Sequence, residues 1–377
     1  MTEHVLITGG AGFIGSHLAR RFHEAGHRVT ILDAFIPQVH GGPEACLAHQ
    51  RFLEGFANVV RGSVASADDL RHALRGTTAV VHLAAETGTA QSMYEVDRYV
   101  STNVGGTAKL LDLIGDGGHA VRRVVVASSR AIYGEGAYVT ARGKVVYPPH
   151  RSERDLAAGR FEVVVPGEGP LTLIPTAENA RIQPASVYGI TKQAQESLVM
   201  TVAPARDVEA VALRYQNVYG PGQSLKNPYT GILSIFSTLI RQGKEINIFE
   251  DGRESRDFIF IDDVVEATYL AVVEPAAAGS VFNVGSGVPI AVTDVVTGLM
   301  DAFGVEVPTR ISGSYRVGDI RHNVADTRRI RDVLGFEASV DFAQGVAAFA
   351  EWVQNEPAPD DSYERSLEEL TKRRLLK

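Results

Sequence analysis

Tyr188 and Lys192 stand four residues apart in the run Tyr188-Gly189-Ile190-Thr191-Lys192, a spacing that on a helix sets an ammonium beside a phenol on one face. A positive neighbour favours the phenolate and lowers a pKa that is otherwise about 10, so the pair makes a base suited to a hydroxyl proton. Ordinary helix surfaces show the same spacing, and other residues must give it meaning. Gly10-x-Gly12-x-x-Gly15 follows the apolar run Val5–Ile7 and precedes an amphipathic stretch closed by Gly26. Glycines in that strand-turn-helix context let backbone N–H groups approach a pyrophosphate. Asp33 ends the next strand, Arg28–Leu32, where a carboxylate accepts from two ribose hydroxyls and repels a 2′-phosphate. That favours NAD over NADP. Ser128 and Ser129 follow another apolar run, Val124–Ala127. Beyond the carboxyl end of such a strand a hydroxyl faces the ligand crevice, so Ser129 is placed to bond a substrate oxygen; the alternative is that both serines satisfy turn backbone. No Gly-x-Ser-x-Gly elbow lies between a strand and a helix, so acyl transfer is not supported.

The elements that must position these groups read as an α/β chain. Continuous apolar strands recur at Val5–Ile7, Arg28–Leu32, Val59–Val60, Ala79–Leu83, Val124–Ala127 and Ala210–Leu213, alternating with helical stretches. This predicts a Rossmann-type, doubly wound parallel sheet covered on both faces. Between Gly134 and Pro184 the rhythm lapses into glycine, proline and mixed charge, and residues 135–183 are expected to be an insertion, since long structureless loops are uncommon inside a domain. Residues 216–256 and 285–355 lack the strand-helix rhythm and are expected to form a smaller, discontinuous C-terminal lobe. The large domain then comprises 1–215 and 257–284, with Phe258–Ile261 and Val281–Val284 returning to the large sheet. The tail, 356–377, is strongly charged; Leu367–Leu376 reads as either one short helix or a disordered end.

The 377 residues and 45% apolar content suffice for a large core and about two domains. A net charge of -8 without a dense basic block before the last residues argues against nucleic acid as a partner. Cys46 is the only cysteine, which excludes an internal disulfide and a cysteine-based metal centre, and no metal site is expected. No apolar run approaches the about 20 residues of a membrane span, and no signal peptide precedes the first strand, so a cytoplasmic protein without membrane contact is expected.

Together these marks resemble the extended short-chain dehydrogenase/reductases of the nucleotide-sugar epimerase/dehydratase type over roughly residues 4–350. The resemblance rests on Thr8-Gly9-x-x-Gly12-x-x-Gly15, His82-Leu83-Ala84-Ala85, Asn103, Ser128-Ser129 ahead of Tyr133-Gly134, Tyr188-x-x-x-Lys192, Arg214-Tyr215-x-Asn217-Val218-Tyr219-Gly220-Pro221, Arg256-Asp257-Phe258 and Asn283-Val284-Gly285. It implies Ser129, Tyr188 and Lys192 as the catalytic set. It also implies NAD contacts from Gly9, Gly12, Phe13, Ile14, Gly15, Asp33, Ser63, Val64, Leu83, Ala84, Ala85 and Asn103, together with Tyr188 and Lys192. A nucleotide-diphosphate sugar would meet Asn217, Arg256 and Arg316, with Arg130 beside the sugar; arginine's planar fork suits phosphate oxygens. Relatives of this type pair through long helices, which implies a homodimer through Ser101–Ile114 and Ser186–Ala203.

Departures narrow the chemistry. Where 4,6-dehydratases carry Asp and Glu after the catalytic hydroxyl, this chain has Arg130 and Ala131, so the acid needed to expel water is missing and oxidation followed by re-reduction leads. Ser63 stands where many relatives carry an Asp for the adenine amino group. The Ser128–Gly136 run, the insertion, and Arg214–Leu225 continuing through Asn227–Ile232 resemble the dTDP-L-rhamnose 4-epimerase subgroup. Members of that subgroup often carry a Cys-Pro-x-Cys-Gly knuckle, replaced here by Val165-Pro166-Gly167-Glu168-Gly169. The implied activity is NAD-dependent 4-epimerisation of a dTDP-6-deoxyhexose through a 4-keto sugar. The alternatives are a UDP-hexose or UDP-uronate 4-epimerase, a 4-ketoreductase, and a non-catalytic NAD sensor on the same fold.

Overall fold

In a computed structural model, residues 2–116, 120–225, 231–357 and 362–377 are described; the motif residues Asn227 to Thr230 lie outside them. Strands β1 (His4–Thr8), β2 (Arg28–Asp33), β3 (Asn58–Arg61), β4 (Ala79–His82) and β5 (Arg123–Ser129) lead into an inserted antiparallel set, β6 (Tyr138–Thr140), β7 (Val145–Val146) and β8 (Leu171–Leu173). Strands β9 (Glu209–Tyr215), β10 (Asn217–Tyr219), β11 (Ile246–Ile248), β12 (Ser255–Phe260), β13 (Val281–Val284), β14 (Pro289–Ala291) and β15 (Thr309–Ile311) follow. Seven of them form one parallel sheet in the order β13-β9-β5-β4-β1-β2-β3, the expected doubly wound fold. Chain order reverses between β1 and β4, which opens a crevice beyond their carboxyl ends.

The strands are apolar throughout because each faces two packed layers. Val5, Ile7, Val81, Val125, Val211 and Leu213 join one core, whereas Leu6, Val80, Val124, Val126, Ala210 and Ala212 join the other. This is the period-two alternation of a strand, with both faces buried. Fully burying one such Val or Leu side chain contributes about 1.5–3 kcal/mol.

One expected return to the large sheet does not occur. Val281–Val284 pairs with β9 at its edge, but Ser255–Phe260 pairs with β10 and β14 in a separate three-stranded sheet. Both edges of β9 are already occupied by β5 and β13. The polar residues of β12 also tie it to the small lobe: the Asp257 carboxylate accepts from the backbone N–H groups of Ser286, Gly287 and Ala325.

The insertion is ordered around Tyr138, Val146 and Val163 and is riveted to the small lobe by charge. The guanidinium of Arg151 donates to both carboxylate oxygens of Glu250, at 2.7 and 2.8 Å, and to Glu135. Arg321, 0% exposed, donates to Glu162 at 2.6 Å and Asp251 at 2.7 Å. The tail is also ordered: a helix spans Ser362–Lys372, and Leu370 is 3% exposed. Two buried arginines sharing four carboxylates are stable only while all are matched. Arg321→Met removes the cation between Glu162 and Asp251 while Arg151 still holds Glu135 and Glu250, and is expected to lower stability by about 1–3 kcal/mol, read from the urea-unfolding midpoint; a loss below about 0.5 kcal/mol would show the network to be decorative.

Candidate active site

A cleft of about 620 Å³ runs from the glycine loop, past the ends of β4 and β5, into the small lobe. Gly9, Gly12, Phe13, Ile14 and Gly15 line one end, and Asn217, Arg256 and Arg316 line the other; Ser129, Arg130 and Tyr188 lie on the same wall. Asp33, Ser63, Val64, Leu83, Ala84 and Ala85 also reach it, so the structure gathers nearly every residue singled out in the sequence.

The glycine end is shaped for close backbone approach. Gly9 has φ of +70°, and a Cβ there would lie 2.8 Å from the Ala84 nitrogen; one at Gly15 would lie 2.5 Å from the Gly9 carbonyl oxygen. The Phe13–Glu24 helix starts immediately after Gly12 with no side-chain cap, leaving its first N–H groups for an anion. Asp33 secures the loop itself, accepting from Ala11 N–H at 3.0 Å and Phe35 N–H at 2.8 Å. A dinucleotide with free ribose hydroxyls fits this cradle. Ser63 lies at the cleft with its hydroxyl accepting from Ala65 N–H.

Ser186 caps the Val187–Val202 helix by accepting from Gly189 N–H, and Ser92 accepts from Tyr188 N–H at 3.0 Å, fixing where Tyr188 enters the cleft. Burial pushes the Tyr188 phenol up, while its hydrogen bond with Ser129 and the nearby Arg130 oppose that rise. Lys192 stands behind the cleft wall, 3% exposed, and its ammonium donates to Gln195 Oε1 at 2.9 Å. Burial lowers Lys192 to about 7, with Glu196 acting the other way. Asn103, expected to touch the cofactor, is fully buried outside the cleft lining; it clamps Glu86 and Thr191 instead.

A buried chain of polar groups that sequence reading missed supports Lys192. Thr107 hydroxyl donates to Asn103 carbonyl at 2.6 Å, and therefore accepts from Gln195 Nε2 at 2.9 Å and from His82 Nε2 at 2.8 Å. His82 then carries its proton on Nε2 and accepts at Nδ1 from Thr8 hydroxyl. Burial, aided by Lys192, holds His82 down at about 3 and so uncharged. The signal lay in Gln195, three residues past Lys192 on the same helical face.

At the far end, Arg256, Arg316 and Arg130 surround Asp319. Burial acts to raise that carboxyl, yet the three arginines hold it at about 2. Asp319 offsets part of this positive charge, and Glu250 and Glu254 also line this end of the cleft. Arg130 is lowered to about 10, by burial first and Arg256 second. Arg256 spends its four terminal donors on the Ser255, Ile320 and Arg321 carbonyls and on Asp319 at 2.9 Å. Its contribution there is fixed charge. Arg316 Nε, Asn217 Oδ1, both polar atoms of Gln216, Asn247 Oδ1 and Glu254 Oε2 are buried cleft atoms without a hydrogen-bond partner. Such atoms are costly unless a polar ligand engages them.

The model of the "NAD dependent epimerase/dehydratase family" matches residues 5–154 and 163–285. The chain belongs to that family. It is 37% identical to dTDP-L-rhamnose 4-epimerase of Burkholderia thailandensis over 358 residues, 94% of this chain and 96% of that one. It is 31% identical to UDP-glucose 4-epimerase of Mycolicibacterium smegmatis, covering 93% and 98%. Among solved structures it resembles MoeE5 in complex with UDP-glucuronic acid and NAD, with a TM-score of 0.72, 29% identity and coverage of 93% and 99%. It also resembles UDP-glucose 4-epimerase of Thermotoga maritima with UDP-glucose, with a TM-score of 0.75, 28% identity and coverage of 93% and 98%. Membership makes NAD the cofactor, in keeping with the glycine cradle and Asp33.

Burial holds Lys192 down at about 7, so its positive charge fades as pH climbs past that value. Besides Gln195, Lys192 is close to Glu196 and His82, and of these only Glu196 supplies negative charge. Gln195→Leu removes the carbonyl that holds the ammonium and is expected to move the alkaline limb of kcat to lower pH, with about tenfold less turnover at pH 8. Gln195→Glu should move that limb upward. Unchanged pH profiles in both variants would refute the role of Gln195.

Proposed function

We propose that the chain inverts the 4-hydroxyl of a nucleotide-diphosphate sugar, with a dTDP-6-deoxyhexose such as dTDP-L-rhamnose as favoured substrate. The observation that carries this reading is one continuous cleft in which a Ser129–Tyr188 hydroxyl pair stands between a dinucleotide cradle and an arginine-rich anion site. The Burkholderia relative supports the choice of sugar.

Tyr188 Oη takes the proton of the sugar hydroxyl, Ser129 orients that oxygen, and Arg130 and Lys192 favour the phenolate. Bound NAD supplies reversible hydride transfer at the neighbouring carbon. Arg256, Arg316 and Asn217 keep the diphosphate in place while the keto sugar turns, and Tyr188 returns the proton to the same oxygen. No net proton is exchanged. Arg130 and Ala131 offer no carboxyl acid to expel water, which favours epimerisation over dehydration.

A second reading follows from Arg130 itself, a cation in the cleft beside Tyr188. A sugar bearing a carboxylate would match it, which favours a UDP-uronate over a UDP-hexose as the alternative substrate. A panel of dTDP- and UDP-sugars followed for change at C4, with no cofactor added, separates these readings; steady consumption of NADH would mark a reductase instead. Tyr188→Phe is expected to lower turnover about 10²–10⁴-fold with NAD still bound, and near-normal turnover would remove Tyr188 as the base.

A homodimer is part of the same proposal. The Gly106–Gly115 and Val187–Val202 helices pack together, and near them Val96, Val100 and Ile190 are 45%, 43% and 53% exposed, an apolar group suited to a second copy. Ile190→Glu is expected to yield monomer by light scattering; an unchanged mass would place the interface elsewhere. The free, buried Cys46 fits a reducing, cytoplasmic setting.

A further inference from the structure

Arg316 lies on an irregular segment between β15 and Arg321, where a long flexible side chain would lose much rotamer freedom on gripping a ligand. Its orientation is fixed largely from the tail. Tyr315 N–H donates to the Lys377 carbonyl at 2.8 Å, Val317 N–H to the Leu375 carbonyl at 2.9 Å, and Lys377 N–H returns to the Tyr315 carbonyl at 3.1 Å. These bonds place Arg316 in an antiparallel bridge with Leu376. The guanidinium then lies 4.7 Å over the Phe249 ring and shares a hydrogen bond with Tyr363, which lines the cleft. Its Nε remains buried and unpartnered.

The same segment reaches three other parts of the molecule. Glu364 pairs with Lys244 of the small lobe at 3.1 Å, Lys377 pairs with Glu153 of the insertion, and the Arg373 guanidinium lies 4.3 Å over the Tyr94 ring. Tyr94 lies two residues past Ser92, whose hydroxyl accepts from Tyr188 N–H. Residues 362–377 therefore join the lobe carrying the anion site to the domain carrying the base.

We propose that this segment is a strap that completes the nucleoside-diphosphate site, with Tyr363 as the residue that positions Arg316 for the diphosphate. The inference rests on the nucleotide-sugar reading above. A strap that pre-orients Arg316 pays part of the ordering cost before the ligand arrives, so its loss should weaken binding more than it slows chemistry. An arginine on a mobile loop supplies charge but not direction; one held over the Phe249 ring and bonded to Tyr363 offers Nε–H in a fixed place.

The test compares wild type with Tyr363→Ala, Tyr363→Phe and Arg373→Ala, using dTDP and UDP as calorimetric ligands on the NAD-loaded protein. Tyr363→Ala is expected to weaken nucleoside diphosphate binding about five- to tenfold, raising KM more than it lowers kcat. Tyr363→Phe keeps the ring and should lose about twofold, and Arg373→Ala should fall between them. NAD content, measured after acid release, should stay at the wild-type level in all three, which a general folding defect would not allow. Wild-type affinity in Tyr363→Ala overturns the strap. Failure of the wild-type protein to bind either dTDP or UDP overturns the nucleotide-sugar reading and the strap with it.

Discussion

A base made from a phenol and an ammonium must hold charge where water has been removed. That constraint governs the centre of this molecule. Burial alone drives the Tyr188 phenol up and the Lys192 ammonium down, each toward its neutral form. A carboxylate directly on Lys192 would restore its charge but would itself be a buried anion needing a partner. The structure uses a neutral dipole instead: Gln195 presents its amide oxygen to Lys192, and the amide nitrogen is occupied by Thr107. Glu196, the nearest source of negative charge, is spent on a bidentate pair with Arg214 at 2.6 and 3.0 Å.

The sheet makes this arrangement repeatable. Its reversal between β1 and β4 places the glycine loop, the ends of β4 and β5, and the Val187–Val202 helix around one crevice without any strand having to bend toward it. The polar residues that then lie behind the crevice act as joinery. Asn103 ties the loop after β4 to the catalytic helix through Thr191, Asn283 accepts from Tyr133 hydroxyl at 2.7 Å, and Asp257 gathers three backbone N–H groups.

This division explains what was legible in the sequence. The parallel sheet could be read because strands buried on both faces are apolar at every position. That the glycine loop, Ser129 and Tyr188 reach one cleft could be read because their positions depend on local spacing, which sequence records. Other roles depend on partners far along the chain. Whether Asn103 faces a cofactor or a helix is decided by Thr191, 88 residues away. Phe258–Ile261 is apolar enough for the large sheet, but β5 and β13 already flank β9, and edge occupancy has no local signature. The tail reads as charged and open because its apolar side, Tyr363 and Leu370, is sparse; its order comes from contacts to Tyr315–Val317 and Tyr94 that no periodicity announces.

The three arginines around Asp319 divide one task along the same lines. Epimerisation requires the sugar to turn while its diphosphate stays still, so the anchor must be stiffer than the ligand's own torsions. Arg256 is stiff because backbone carbonyls and Asp319 consume its terminal donors, leaving a fixed charge that cannot follow a moving phosphate. Arg316 keeps Nε–H free but is held over the Phe249 ring and bonded to Tyr363. Arg130 lies at the reacting end, where its charge acts on Tyr188 rather than on the anchor alone. Asp319 makes the trio tolerable: without its carboxylate the three guanidinium groups would repel one another, and with it they stand ready for an anion.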